Sequence, residues 1–503
     1  MKSNSFQTYQ SREVFIRQPL LEASQEKSSR AWIGLILFTL ALLTLSIWKG
    51  GLSGTDSPRV AGIAREMAVT PNYLIPRLHG ESFLEYPPLG YWPIALTLSM
   101  SKNPPDFLAF LPIVFFGIGT VLITFLIGKT LAGERIGLIA GFILSTLSGF
   151  CGLHRHCLVD PALLFFVTLS LYGFVGGYRA SKGNSLFFAV FYLAMAGAFL
   201  SKGIIGVAIP AATAMVFLII RRDLAGIRKL FLKPGILFFM LPVLLWMGSV
   251  WYFDGFGTLG EVFRQSLWRF VSPSADHAKP FHFYLIPVVL KFLPWTFLPL
   301  VLIWFRRGRG HSPGPLSQGP LLKFSLVWFL TVLIGLSLAS AKRPLYLGPI
   351  YPSFALLAAL GWDRFREEFP RVKRGEAYGL IVIFLVYVGA YLVFIIPSER
   401  ERSLRPIFET VSRQQVNGPV YLVNPSETIR GAAFFYLGKR MPVLDDRDVL
   451  QERFENRPGT TLVIEVSLGS NQLLSFLQSK GYRPLLQKRL RGNGVIWVCS
   501  KNV

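Results

Sequence analysis

The sequence predicts an α-helical polytopic membrane protein that ends in a small α/β domain. Three observations carry that prediction. Only 16% of the 503 residues are charged, against about 25% in a soluble globular chain. Apolar runs recur between Ala31 and Pro397, among them LPIVFFGIGTVLITFLIG and GLIVIFLVYVGAYLVFII, and each is close to the roughly 20 residues that cross a bilayer core. After Pro397 the composition turns to that of a soluble protein. Strand-like VYLV (420–423), TLVIEV (461–466) and VIWVCS (495–500) alternate there with helical TIRGAAFFYL and NQLLSFLQSKG, a pattern that suits an α/β unit over 398–503 with its own core.

Taken in order, residues 1–30 read as a polar cytoplasmic tail. The first apolar run has no small-residue cleavage site after it, so it reads as a retained anchor. Eleven spans fit the hydropathy, at 31–49, 107–130, 135–153, 160–178, 186–200, 203–220, 235–253, 284–304, 322–340, 344–361 and 377–397; a short apolar stretch over 87–100 either adds a twelfth or lies in the interface. The segments on the N-terminal side of the membrane carry a marked Lys/Arg excess, including RRDLAGIRKLFLK (221–233) and RFREEFPRVKR (364–374). The net charge of +24 is therefore the positive-inside bias of membrane loops and does not point to nucleic acid. That orientation leaves two long loops, 50–106 and 254–283, on the outer side with the C-terminal domain. In the first, Val60, Ile63, Ala64 and Met67 follow helical spacing and predict an amphipathic helix lying on the membrane. Three cysteines (Cys151, Cys157 and Cys499) make no disulfide framework.

Chemistry concentrates on the outer side, where five of the six histidines fall and where ionisable residues at span mouths mark functional sites. Asp56 and Asp160 each open a helical run and are followed by proline within two residues. Helix N-caps and reactive carboxylates are both consistent with that pattern. Glu85 sits in an aromatic loop, PRLHGESFLEYPPLGYW (76–92). With His277 it could offer an oxygen and a nitrogen to a divalent metal such as zinc. CGLHRHC (151–157) holds four N/S groups, but at a spacing that fits no standard closed zinc site. Lys202, Lys342 and Arg343 lie in short outer turns, where they either snorkel to the interface or bind an anionic headgroup.

Read together, DSPRVAGIAREM (56–67), NYLIPRLHGESFLEYPPLGYW (72–92), HRHCLVDPALLFF (154–166), LSKGIIG (200–206), WRFVSPSADHAKPFHFYLIP (268–287) and SAKRPLYLGPIYP (340–352) resemble the polyprenyl-phosphate-dependent glycosyltransferases of the GT-C class. The likeness is greatest to lipid A aminoarabinose transferases and more distant to protein O-mannosyltransferases. The resemblance implies a GT-C-like fold of 11–13 transmembrane helices in an inner membrane. It further implies inverting transfer of a sugar from a polyprenyl-phosphate donor to a glycolipid or protein acceptor, without a nucleotide. It makes Asp56 and Asp160 the catalytic-site aspartates, Glu85 and His277 the metal positions, and Tyr86, Lys202, Arg269, Lys342 and Tyr346 the lining of the donor phosphate pocket. Two residues depart from the family's pattern: Ser57 stands where an acidic residue is common, and Tyr86 where a Lys is. A lipid flippase or a non-catalytic glycolipid scaffold are the readings from other classes. The absence of an internal repeat weighs against transport.

Overall fold

The computed structural model describes residues 30–45, 47, 51–180, 185–231, 235–271, 279–301, 319–415, 418–467, 471–490 and 494–501. It is an α-helical bundle with a small α/β domain seated on one end. Among the described residues six helices are long and apolar enough to cross a membrane, and one bent pair makes a seventh. Shorter apolar helices at Ala31–Thr44, Leu186–Lys202, Ile204–Ile220 and Phe281–Lys291 fall on the remaining expected spans. Helices Phe107–Ala132, Asp160–Arg179, Ser185–Lys202 and Tyr351–Glu368 surround one continuous apolar core that includes Phe174, Phe217, Phe324 and Trp328.

Two of the expected spans are not continuous helices. The run over 135–153 divides into Glu134–Ser145 and Ser148–His154, bent by 62°, with Leu147 in an extended conformation between them. The run over 284–304 stops as a helix at Lys291, just before Pro294, which has no N–H to continue the ladder. The two breaks face one another. Ser148 N donates to Leu293 O at 2.9 Å, Ser148 Oγ donates to Leu290 O at 2.6 Å, and Trp295 Nε1 donates to Thr146 Oγ1 at 2.9 Å. Backbone groups released inside an apolar layer must find partners, and here each broken helix supplies them to the other. The stretch over 87–100 yields only a seven-residue helix, Trp92–Leu98, about 10 Å long at 1.5 Å per residue and too short to span.

The helix expected on the membrane surface forms at Asp56–Val69, but it is buried on more than its apolar face. Ser57, Val60, Gly62, Ile63, Arg65, Glu66 and Met67 are all inaccessible. One side packs on Tyr91, Ile94 and Phe110; the other meets helix Glu427–Leu437 of the α/β domain. A methyl group on Gly62 would come within 2.3 Å of Gly431 O, so the two helices touch backbone to backbone, an approach open only to glycine.

The α/β domain follows helix Ile396–Arg402 and begins with helix Arg405–Gln414. A hairpin in the first long loop supplies β1 (Arg77–Leu78) and β2 (Glu81–Ser82), and the domain sheet comprises β3 (Val420–Val423), β4 (Val443–Leu444), β5 (Thr461–Ser467), β6 (Tyr482–Arg489) and β7 (Gly494–Lys501). Its order is β4-β3-β5-β7-β6, with β4, β3 and β5 parallel and β7 antiparallel to both neighbours. Helices Arg405–Gln414 and Glu427–Leu437 cover one face and Asp446–Leu450 and Asn471–Ser479 the other. Strands β3, β5 and β7 lie where alternation places them. The edge strand β6 was not foreseen, because YRPLLQKR is charged and holds Pro484; that proline sits at an irregularity in the ladder, where an edge tolerates it.

Candidate active site

Asp56 and Asp160 each occupy the first helical position, after Thr55 and Val159, and each carboxylate is taken by cations from elsewhere in the chain. Arg59, one turn along the same helix, donates from Nη2 to Asp56 Oδ1 at 2.8 Å. Arg343, arriving from the turn after helix Gly319–Leu338, donates from Nη2 to Asp56 Oδ2 at 2.6 Å. Burial alone would push the Asp56 carboxyl upward, but Arg343 and then Arg59 outweigh it and hold the carboxyl below its ordinary range. Lys202 is close enough to add to that field.

The second aspartate is built differently. Helix Ser185–Lys202 ends against Gly203, whose φ of +69° reverses the chain into Ile204–Ile220 and leaves Lys202 at the turn. Its Nζ donates to Asp160 Oδ1 at 2.5 Å, with 9% of the lysine side chain and 11% of the aspartate exposed. The same ammonium lies 5.4 Å from the Tyr86 ring centroid and 5.3 Å from that of Tyr346. A desolvated cation between two aromatic faces gains about 1–2 kcal/mol per face. At position 86 a lysine would bring a second cation to this spot, whereas tyrosine presents an electron-rich face to the first. Ser57 joins the two aspartate environments: its hydroxyl accepts from Cys157 N at 3.2 Å, three residues before Asp160.

The remaining expected residues are placed as follows. Lys342 is buried and spends its ammonium on Lys279 O at 2.9 Å and Ala339 O at 2.5 Å, so within the KR pair it is Arg343 that faces Asp56. Glu85 lies 3.9 Å from Arg59 Nη1. His277 falls outside the described residues, as does the side chain of Arg269. Among the described residues no group of three or more His, Cys, Asp and Glu side chains converges as a metal would need. The CGLHRHC cluster is dispersed: Cys151 donates to Ser145 O, buried His154 pairs through Nδ1 with Phe150 O, and Cys157 points to Ala109 O.

Two residues that sequence reasoning passed over complete the Asp56 environment. Arg59 was legible in principle, since it stands at i+3 from Asp56 in a segment expected to be helical. Glu427 was not. It comes from the α/β domain, and its Oε2 accepts from Arg59 Nη1 at 2.6 Å. Glu85 and Asp56, with the Glu427 hydrogen bond, outweigh the desolvation of Arg59 and raise its pKa.

Known proteins resemble the chain in sequence and in fold. Residues 85–246 match the family model described as dolichyl-phosphate-mannose-protein mannosyltransferase. The chain is 26% identical over 384 residues to the undecaprenyl phosphate-alpha-4-amino-4-deoxy-L-arabinose arabinosyl transferase of Shewanella sediminis, covering 74% of this chain and 67% of that one. It is 25% identical over 378 residues to an uncharacterized protein of Aquifex aeolicus, covering 74% and 71%. In fold it is similar to ArnT from Cupriavidus metallidurans bound to undecaprenyl phosphate, with a TM-score of 0.75 at 17% identity over 94% of this chain and 98% of that one. The archaeal oligosaccharyltransferase AglB from Archaeoglobus fulgidus is more remote, at a TM-score of 0.52 and 12% identity over 90% and 72%. With two aspartates held among Arg59, Arg343 and Lys202 at one end of such a bundle, the chain is a glycosyltransferase of GT-C fold that resembles the lipid A aminoarabinose transferases.

Proposed function

We propose that this enzyme transfers a sugar from a polyprenyl-phosphate donor to an anionic glycolipid of the lipid A type on the outer face of the inner membrane. The observation that carries the proposal is the position of Lys202, fixed by Asp160 between Tyr86 and Tyr346, with Arg343 close by. An ammonium has three donors and Asp160 takes one of them in the described geometry, so Lys202 can turn the others toward a phosphate. Transfer breaks the bond between the anomeric carbon and the phosphate oxygen, and the electron pair stays with the leaving polyprenyl phosphate. Cations preorganised beside that oxygen stabilise the developing charge.

The state of Asp56 bears on the acceptor. A carboxylate held low by two arginines is a weak base, poorly suited to taking a proton from a neutral hydroxyl. With its charge balanced by Arg59 and Arg343, it is compatible with an acceptor that is already anionic, such as a glycolipid phosphate, which needs no base to attack in a single displacement with inversion. A protein hydroxyl acceptor is the second reading, favoured by the family model over 85–246; it would need Asp56 to act as that base. No step in either course is routed through a metal.

The charge distribution supports this orientation. The site lies at the Asp160 end of helix Asp160–Arg179, and Arg179 marks the other end. Arg135, paired with Asp363, and Lys129, paired with Glu134, also lie away from the site. Basic residues favour the cytoplasmic side, which supports a periplasmic site and α/β domain.

The test is mass spectrometry of cells lacking the gene and complemented with wild type or Asp56→Ala, profiling envelope glycolipids, glycoproteins and polyprenyl-phosphate sugars. The reading holds if a sugar disappears from one glycolipid while its lipid-linked donor accumulates and Asp56→Ala fails to restore it. Loss from a protein instead moves the second reading ahead. Full restoration by Asp56→Ala overturns both.

A further inference from the structure

The α/β domain is clamped to the helix that carries Asp56. Gly62 and Gly431 bring helices Asp56–Val69 and Glu427–Leu437 into backbone contact, and a methyl group on Gly431 would lie 2.6 Å from the Cα of Arg59 itself. Thr428 Oγ1 donates to Thr55 O at 3.0 Å, on the residue before Asp56. Farther along, Arg440 Nη2 pairs at 2.8 Å with Glu66, which is 1% exposed, and Arg430 Nη1 pairs with Glu81 at 2.9 Å. The glycine contact and the Thr428 hydrogen bond fix where the first turn of helix Glu427–Leu437 stands; the Arg430 pair, with Glu81 78% exposed, is peripheral to it.

From that turn, Glu427 reaches the guanidinium of Arg59. The fork of Arg59 is thereby divided: Nη2 faces Asp56 at 2.8 Å and Nη1 faces Glu427 at 2.6 Å. A planar guanidinium held at both nitrogens has one orientation. Without Glu427, its nearest other carboxylate is Glu85 at 3.9 Å, and turning Nη1 toward Glu85 would draw Nη2 off Asp56. Glu427 is half exposed, so the pair contributes little to stability by itself; its consequence is geometric.

We infer that the C-terminal domain is part of the active site, with Glu427 as a positioning residue that sets the Arg59 guanidinium and through it the Asp56 carboxylate. The inference rests on the assignment of Asp56 to the transfer reaction. A displaced positioning group costs turnover more than affinity, because the misalignment is felt in the transition state. Glu427→Ala is expected to lower kcat roughly tenfold, with the KM for donor changed by less than about twofold. Glu427→Gln keeps an acceptor oxygen at the same reach and is expected to recover part of the loss. Arg430→Ala removes a neighbouring tie between the same two units, away from Asp56, and is expected to turn over like wild type.

The experiment uses the full-length enzyme in lipid nanodiscs. The donor is the lipid-linked sugar that accumulates in the deletion strain, and Asp56→Ala is assayed alongside. If Asp56→Ala is inactive and Glu427→Ala has the wild-type kcat, the inference fails while the assignment of Asp56 stands. If Asp56→Ala is active, that assignment fails and takes the inference with it. Should Glu427→Ala unfold at a lower temperature than Arg430→Ala, Glu427→Ser, which keeps a polar helix start but cannot reach Arg59, decides: a wild-type kcat in that variant at full stability overturns the inference.

Discussion

Lys202 and Asp160 meet at 2.5 Å across forty-two residues of chain, one at the C-terminal end of a membrane helix and the other at the start of its antiparallel neighbour. Both are nearly inaccessible. Breaking such a pair from one side strands the other charge, so substitutions at the two positions have unequal meanings. Lys202→Ala removes the proposed phosphate ligand and is expected to lower kcat/KM by about a hundredfold. Asp160→Asn leaves the cation in place and is expected to cost less. Binding of undecaprenyl phosphate, followed by native mass spectrometry, separates the two variants: Lys202→Ala is expected to lose it and Asp160→Asn to retain it.

The carboxyl of Asp56 is pushed up by burial but held below its ordinary value of 3.8 by Arg343 and Arg59. A depressed folded-state value means that the ionised form is favoured by folding. That contribution is present above the ordinary value and is lost as pH falls through the depressed one. Wild-type turnover is therefore expected to show no acid limb from Asp56 above about pH 4. In Arg343→Ala the larger of the two opposing influences is gone, and the residual activity is expected to gain an acid limb at higher pH. A pH–rate profile of both enzymes checks this; a wild-type limb near pH 6 that Asp56→Asn abolishes would contradict it.

Gly62→Val places atoms where Gly431 O already stands. The helices must part, at a cost of about 1–3 kcal/mol, and Arg59 moves with them. A lower midpoint of thermal unfolding and reduced turnover are both expected. Gly389→Ala, with open space around the added carbon, is the comparison and is expected to match wild type.

Glu85 faces the guanidinium of Arg59 at 3.9 Å, and a cation beside a carboxylate opposes the approach of a divalent metal to it. Turnover is therefore expected to survive prolonged chelation. Loss on chelation with recovery on adding zinc or manganese would instead return Glu85 and His277 to the role of ligands.

Hydropathy and alternation revealed most of the architecture. The spans and the strands β3, β5 and β7 answer to burial patterns that are local in sequence, and so can be read from it. What escaped was non-local. The break between Ser145 and Ser148 carries no proline, and its reason lies at Leu290 and Leu293. The surface helix was read as half-buried because its second partner, Gly431, is in another domain. At the site, Asp56, Asp160 and Lys202 stand out as ionisable groups at span mouths and outer turns, whereas Tyr86 and Tyr346 entered only through the family resemblance. Arg343 was weighed as an interface anchor or a headgroup ligand, and only the fold turns it toward Asp56. Glu427 sits in an ordinary helix start, ETIRGAAFFYL, where nothing distinguishes it from a first-turn acid.

The facing breaks of the two interrupted helices bear on how the protein is made. Ser148 and Leu290 are 142 residues apart, so the first interrupted segment leaves the ribosome long before its counterpart exists. Until then the N–H and hydroxyl of Ser148 would lack their partners, and a polar group left unpaired in hydrocarbon costs several kcal/mol. The segment would therefore be held back at the insertion machinery, or at the interface, until the later one arrives. Membrane integration of residues 135–153 would then depend on translation having passed Trp295, and truncation before that point would release a chain prone to misassembly and degradation.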